Sequence, residues 1–170
     1  GVSGSFRRTQ LQGQICSKKI WQQINIPCPA TLPVNSPADV KRFLAKTENG
    51  LVLKPIFGSG SELVFNCSTP KECEHAFKTI SNGLAERASR PLFKKKSSLD
   101  HLMLAEELIH GIEFSCDFII ERDTVTIIRL TRKIKADNGP FGTIMGYMIQ
   151  SYLPPGTDPS RLGEMLFQGA

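Results

Sequence analysis

The chain has 170 residues, with 21 lysines and arginines against 16 acids, for a net charge of +5. Hydrophobic residues make up 40% and charged residues 22%, the composition of an ordinary globular domain. No apolar run approaches the roughly 18 to 20 residues of a membrane helix, and Gly1–Gly13 lacks the apolar core of a leader peptide.

The first segment, to about Asn25, is expected to carry a helix with Ile15, Lys19, Ile20 and Trp21. Ile26-Pro27-Cys28-Pro29 must then run extended, because a residue before proline is pushed out of the α region. Ser36-Pro37-Ala38-Asp39 is a helix start: an N-cap hydroxyl, proline at the first helical position and an acid at the third. Thr69-Pro70-Lys71-Glu72 repeats it as a capping box. Val40, Phe43 and Leu44 follow the first start at helical spacing. Cys73, Ala76, Phe77, Ile80 and Leu84 follow the second as a full apolar stripe. Between these helices, Leu51–Pro55 and Leu63–Phe65 read as strands around a small-residue loop.

Leu102–Ala105 reads as a short apolar strand. Ile112–Glu121 alternates, with Ile112, Phe114, Cys116, Phe118 and Ile120 on one face. Arg122-Asp123 is a turn, and Thr124–Arg132 is the returning strand. Asp137-Asn138-Gly139-Pro140 marks a loop, Met145–Leu153 a further strand, and Asp158-Pro159 opens a short helix through Leu162, Met165 and Leu166. Helices in the first half and antiparallel strands in the second indicate an α+β protein.

The chemistry-bearing residues are few. The five cysteines (Cys16, Cys28, Cys67, Cys73 and Cys116) are irregularly spaced, and His75, His101 and His110 lie apart. Neither a zinc site nor a disulfide framework is expected, and a reducing cytoplasm is the default. The basic residues form no stripe, and the densest run, Lys94–Lys96, falls in a loop-like segment. The charge therefore fits a nucleotide or phosphate ligand better than nucleic acid.

Lys54 at a strand end places a fixed positive charge beside Phe57-Gly58-Ser59-Gly60-Ser61. Such a loop brings backbone N–H groups to phosphate oxygens without obstruction by Cβ. It is not a Walker loop, since the lysine precedes it, and no G-x-G-x-x-G opens a helix. Downstream, Glu106 to Ser115 separates two acidic positions by a short connector with one glycine. Its backbone can read the edge of a base, and its carboxylates can accept from amino or hydroxyl groups.

In this order and spacing, the segments from about Ser17 to Pro155 resemble the ATP-grasp superfamily of carboxylate–amine ligases. Ser17-Lys18-Lys19-Ile20-Trp21-Gln22 with Ile26-Pro27-Cys28-Pro29 is similar to the lead-in to its first subdomain. Leu53-Lys54-Pro55 with the Gly/Ser loop resembles its phosphate lysine and lid loop. Leu104–Ile109 resembles the connector that holds adenine, and Gly111-Ile112-Glu113-Phe114-Ser115 the G-x-E-[FY]-S step.

The resemblance implies roles. Lys54 would contact the α/β-phosphates, and Ser59, Gly60 and Ser61 would close over the β/γ-phosphates. Glu106 would meet the adenine amino group, and the backbone of Glu107 and Ile109 would line the adenine slot. Glu113 would bind ribose. Lys133 sits near a further phosphate-side lysine of the family, with Lys135 its rival, because strand parity leaves both open. Where many members carry an earlier nucleotide lysine this chain has Gln14, so Lys18 or Lys19 substitutes or the contact is missing.

The implied architecture is an ATP-grasp fold of two α+β subdomains with antiparallel sheets, cut at both ends. Residues 1–29 would be a lead-in helix and linker, 30–105 the first subdomain with the phosphate loop, and 106–170 the start of the second. The implied ligands are ATP, Mg2+ held by residues outside this chain, and a small-molecule carboxylate. A homodimer is an option, and no nucleic-acid or membrane partner is implied. The implied reaction is activation of the carboxylate as an acylphosphate for attack by an amine, with the isolated piece inactive. The alternative is a non-catalytic nucleotide-binding or assembly module.

Overall fold

The computed structural model describes residues 18–56, 63–88, 103–136 and 138–170. The chain divides into two compact units. One is built on Pro29–His110, and the other on Gly111–Gly139 and Thr143–Ala170, together with residues 18–28.

The first unit contains β1 (Thr31–Val34), α2 (Pro37–Leu44), β2 (Leu51–Pro55), β3 (Phe65–Cys67), α3 (Pro70–Ala88) and β4 (Met103–Glu107). Its strands form an antiparallel sheet in the order β1-β4-β2-β3. Both helices start as their sequences dictate. The Ser36 hydroxyl accepts from the Asp39 N–H, and the Asp39 carboxylate accepts in return from the Ser36 N–H at 3.1 Å. The Glu72 N–H donates to Thr69 Oγ1, while the Glu72 carboxylate accepts from the N–H groups of Ser68 and Thr69. These reciprocal bonds satisfy amide donors that a helix end otherwise leaves orphaned.

Strand alternation then sets the core. Leu51, Leu53, Met103 and Ala105 turn inward against Val40 and Phe43 of α2 and Cys73, Ala76 and Ile80 of α3, all buried. By the same alternation Val52, Lys54, Leu104 and Glu106 lie on the other face of the sheet. The apolar stripe of α3 thus fixes which face of β2 and β4 is left for chemistry.

Two features differ from the expected elements. Thr31–Val34 is a strand although it contains Pro33; β1 is the sheet edge, where a missing N–H is tolerated. The strand after the Gly/Ser loop is Phe65–Cys67, not Leu63–Phe65. Leu63 has φ 59, which no strand permits, and its side chain lies over Gly83 of α3. A Cβ at Gly83 would sit 2.8 Å from Leu63 Cδ1.

The second unit contains α1 (18–23), β5 (Phe114–Glu121), β6 (Thr124–Lys135), β7 (Ile144–Gln150) and α4 (Pro159–Gly169). β5, β6 and β7 form an antiparallel sheet in that order. The expected turn joins β5 to β6, with Arg122 at φ 54. Ile112, expected in this strand, lies outside it and is exposed. Asn25, at φ 58, ends α1: the Ile26 N–H donates to Trp21 O and the Asn25 N–H to Gln22 O, a Schellman closure. The chain direction this sets brings Trp21 to α4, where its Nε1 donates to Gly169 O at 3.4 Å. Asp158 caps α4 by accepting from the Ser160 and Arg161 N–H groups.

No helix among the described residues is long and apolar enough to cross a membrane.

Candidate functional site

The expected site residues fall in both units. In the first, antiparallel pairing sets Val52 opposite Glu106 and Lys54 opposite Leu104. Lys54 and Glu106 are therefore diagonal neighbours on one face, close enough for long side chains to meet. Lys54 Nζ lies 2.7 Å from Glu106 Oε2, and the two side chains are 27% and 17% exposed. Partial burial weakens solvent screening, so each charge stabilises the other more than a surface pair would.

Glu107 projects differently. Its Oε2 accepts from the Ala30 N–H at 3.5 Å, and its own N–H donates to Ala30 O at 2.9 Å. The Leu108 N–H donates to Gly50 O. These bonds tie the end of β4 to β1 and to the start of β2. Ile109 lies beyond the paired residues and is exposed. Ser59, Gly60 and Ser61 lie outside the described residues.

In the second unit the register pairs Phe114 with Arg132, which sets Glu113 opposite Lys133. The Lys133 N–H donates to Glu113 O at 2.8 Å, and Lys133 Nζ donates to Glu113 Oε1 at 2.5 Å. Lys135 Nζ lies 3.2 Å from Glu113 Oε2. The two lysines between which strand parity could not choose thus share one carboxylate, each on its own oxygen. The hydrogen bond from Lys133, aided by Lys135, holds the Glu113 carboxyl below the usual glutamate range against the opposing effect of partial burial.

Sequence reasoning missed a second charged row on this face. Arg129 Nε donates to Asp117 Oδ2 at 2.7 Å across the same two strands. Lys18 lies in α1, and Cys28 Sγ approaches its carbonyl at 3.8 Å.

A groove of about 310 Å3 opens elsewhere in the first unit, lined by Phe65, Asn66, Lys71, Glu72, His75 and Ala76. It lies at β3 and the first turns of α3 and includes neither Lys54 nor Glu106. Among the described residues no group of three or more His, Cys, Asp or Glu side chains comes together as a metal site. Glu106 and Glu113 each face lysine rather than another acid. Magnesium is usually held by one or two carboxylates together with substrate phosphates, so the described residues by themselves do not define a site for it.

Each unit thus offers a lysine held by a carboxylate on one face of an antiparallel sheet. Residues 47–158 match the ATP-grasp domain family, so the chain belongs to that family. Similar solved structures include an L-amino acid ligase from Bacillus licheniformis, at 21% identity and TM-score 0.59, covering 90% of this chain and 31% of that one. A D-alanyl-alanine synthetase A from Vibrio cholerae is 12% identical with TM-score 0.58, over 91% of this chain and 43% of that one. An N5-carboxyaminoimidazole synthase from Aspergillus clavatus, in complex with ADP and 5-aminoimidazole ribonucleotide, is 13% identical with TM-score 0.56, over 90% and 35%. The chain therefore spans less than half the length of these structures. No curated protein matches it.

Proposed function

We propose that the chain is the nucleotide-binding part of an ATP-dependent ligase that joins a carboxylate to an amine or related nucleophile. The observation that carries this reading is the Lys54–Glu106 pair at 2.7 Å, on the face turned away from α2 and α3 of a sheet in an ATP-grasp domain. The solved relative that holds ADP, and the one named as an L-amino acid ligase, support it at the level of the fold.

In this reading Lys54 moves from its carboxylate partner to the α/β-phosphates of ATP, and Glu106 accepts from the adenine amino group. The backbone near Glu107 and Ile109 lines the base, Glu113 accepts from ribose hydroxyls, and Lys133 balances phosphate charge with Lys135 beside it. Ser59, Gly60 and Ser61 donate backbone N–H groups to the terminal phosphates, and Lys18 is an additional cation near the nucleotide. The substrate carboxylate oxygen attacks the γ-phosphorus. A new acyl–O–P bond forms, and the bond to ADP breaks. The amine then attacks the acyl carbon and inorganic phosphate leaves. Fixed cations serve both displacements, because negative charge is redistributed over phosphate oxygens in each. Magnesium, when bound with the nucleotide, would add further charge neutralisation from residues outside those described.

The test is carboxylate-dependent ADP release by the complete protein containing this chain. Release that requires both a carboxylic acid and an amine, and leaves an amide product, is the expected result. ATP binding with no release against a broad panel of acids would sink the ligase reading.

A further inference from the structure

Lys54 and Glu106 hold each other before any ligand arrives. Their 2.7 Å contact is made by side chains only 27% and 17% exposed, so little water screens it. Register places Val52 and Leu104 at the other two corners of the same patch, and Leu104 is buried. The pair thus lies on an apolar bed, where a change of partner has a large effect. A phosphate oxygen can take the Lys54 ammonium only by drawing it off Glu106. That deprives a largely buried carboxylate of its ammonium, a cost that an anion alone has no group to offset. A ligand with hydrogen-bond donors beside its phosphate chain can offset it, because an ionised carboxylate accepts through both oxygens.

The second unit makes no such demand. Glu113 is 42% exposed and is held by both Lys133 and Lys135, so one lysine can turn to a phosphate while the other stays. Glu107, next to Glu106 in β4, holds no lysine among the printed pairs of this patch: its carboxylate accepts from the Ala30 N–H.

We infer that Glu106 sets the specificity of the site, withholding Lys54 from free phosphate anions and releasing it to a phosphate chain carried on a base with an amino group. The inference deepens the proposed nucleotide-binding reading and rests on it. Glu106 then acts twice. In the empty site it holds Lys54, and in the filled site it accepts from the base. Inorganic polyphosphate has the charge that a lysine attracts but no donor for the carboxylate, and is turned away.

The experiment measures the affinity of the complete protein containing this chain for ATP and for inorganic tripolyphosphate, by calorimetry at pH 8 with magnesium. The wild type is expected to prefer ATP. Glu106→Gln should bind tripolyphosphate about 10-fold or more tightly than the wild type does, the scale of one hydrogen bond to a charged group. Glu106→Met, which has similar length and needs no partner, should show the same gain, so the result does not hang on one variant folding. Glu107→Gln removes the same charge one residue away and should leave tripolyphosphate binding unchanged. Glu106→Gln made in a Lys54→Met background should leave it unchanged as well. No gain in either Glu106 variant overturns the inference. So does a gain that Glu107→Gln shares or that persists without Lys54, since either would mean general charge repulsion. A wild type that binds tripolyphosphate as tightly as ATP also overturns it. A wild type that binds no ATP overturns the nucleotide reading itself, and this inference with it.

Discussion

Lys54 reaches Glu106 across β2 and β4 at 2.7 Å, on the face of the sheet turned away from α2 and α3. The pair depends on a register set by core residues on the other face. Leu51 and Leu53 pack inward, so Val52 and Lys54 must face out. A functional lysine is thus positioned by side chains that never touch it.

Because Glu106 is only 17% exposed, removing the Lys54 ammonium takes a counter-charge from a largely buried carboxylate. Lys54→Met is expected to destabilise the protein by about 1–3 kcal/mol, the usual cost of losing a hydrogen bond to a charged group. Adding Glu106→Gln should recover much of that loss. Urea midpoints for the two single variants and the double variant measure it. A double variant as unstable as the sum of the singles would show that the pair is not coupled.

Acid should weaken the second unit in a residue-specific way. Lys133 and Lys135 lower the folded-state titration of Glu113 from an ordinary value of 4.5. Its stabilising effect is therefore present above that value and is lost as pH falls through the lower folded one. Asp39 and Glu72 are lowered as well, by hydrogen bonds within their helix starts, and add to the same acid limb. Comparing wild type with Glu113→Gln between pH 7 and pH 2 isolates one share. The variant's stability should fall less steeply below about pH 4.5; identical slopes would contradict the assignment.

Gly50 precedes β2 at φ +87, and a Cβ there would meet Cys67 O at 2.7 Å. Neither the left-handed backbone nor a carbonyl in the opposing strand can yield cheaply. Gly50→Ala should cost more than about 2 kcal/mol, read as a lowered melting temperature. It should also weaken nucleotide binding, because the Leu108 N–H that anchors the connector donates to Gly50 O.

The thiols should differ in reactivity. Burial, followed by the neighbouring Cys73, pushes the Cys67 thiol up to about 12. Burial also raises Cys73. A thiol so raised presents almost no thiolate near neutral pH. Iodoacetamide at pH 8 followed by mass spectrometry should modify Cys28, which is half-buried, before either of them. Labelling of Cys67 at the rate of Cys28 in native protein would contradict the packing of α3 on β3.

What could be read from the sequence was local. Ser36 and Thr69 announce helices because a capping box closes within four residues. Lys54 and Glu113 stood out because the residues around them carry the family's signature. The partners of both residues depended on register between strands far apart in the chain, which local patterns do not encode. Thr31–Val34 was hidden by Pro33, whose place at an edge appears only once the sheet is assembled. Phe65–Cys67 was missed because Leu63 has strand-like character but sits at φ 59 to pack over Gly83. Lys133 and Lys135 could not be separated because a two-residue period puts both on one side, and Glu113 in fact meets both.

The most direct test of the nucleotide site is the affinity of the complete protein for ATP with magnesium, measured by calorimetry for wild type, Lys54→Met and Glu113→Gln. A charge-assisted hydrogen bond contributes about 1.5–3 kcal/mol, so each variant should bind about 10- to 100-fold more weakly while staying folded. Folded variants that bind ATP as tightly as the wild type would contradict the assignment of both residues.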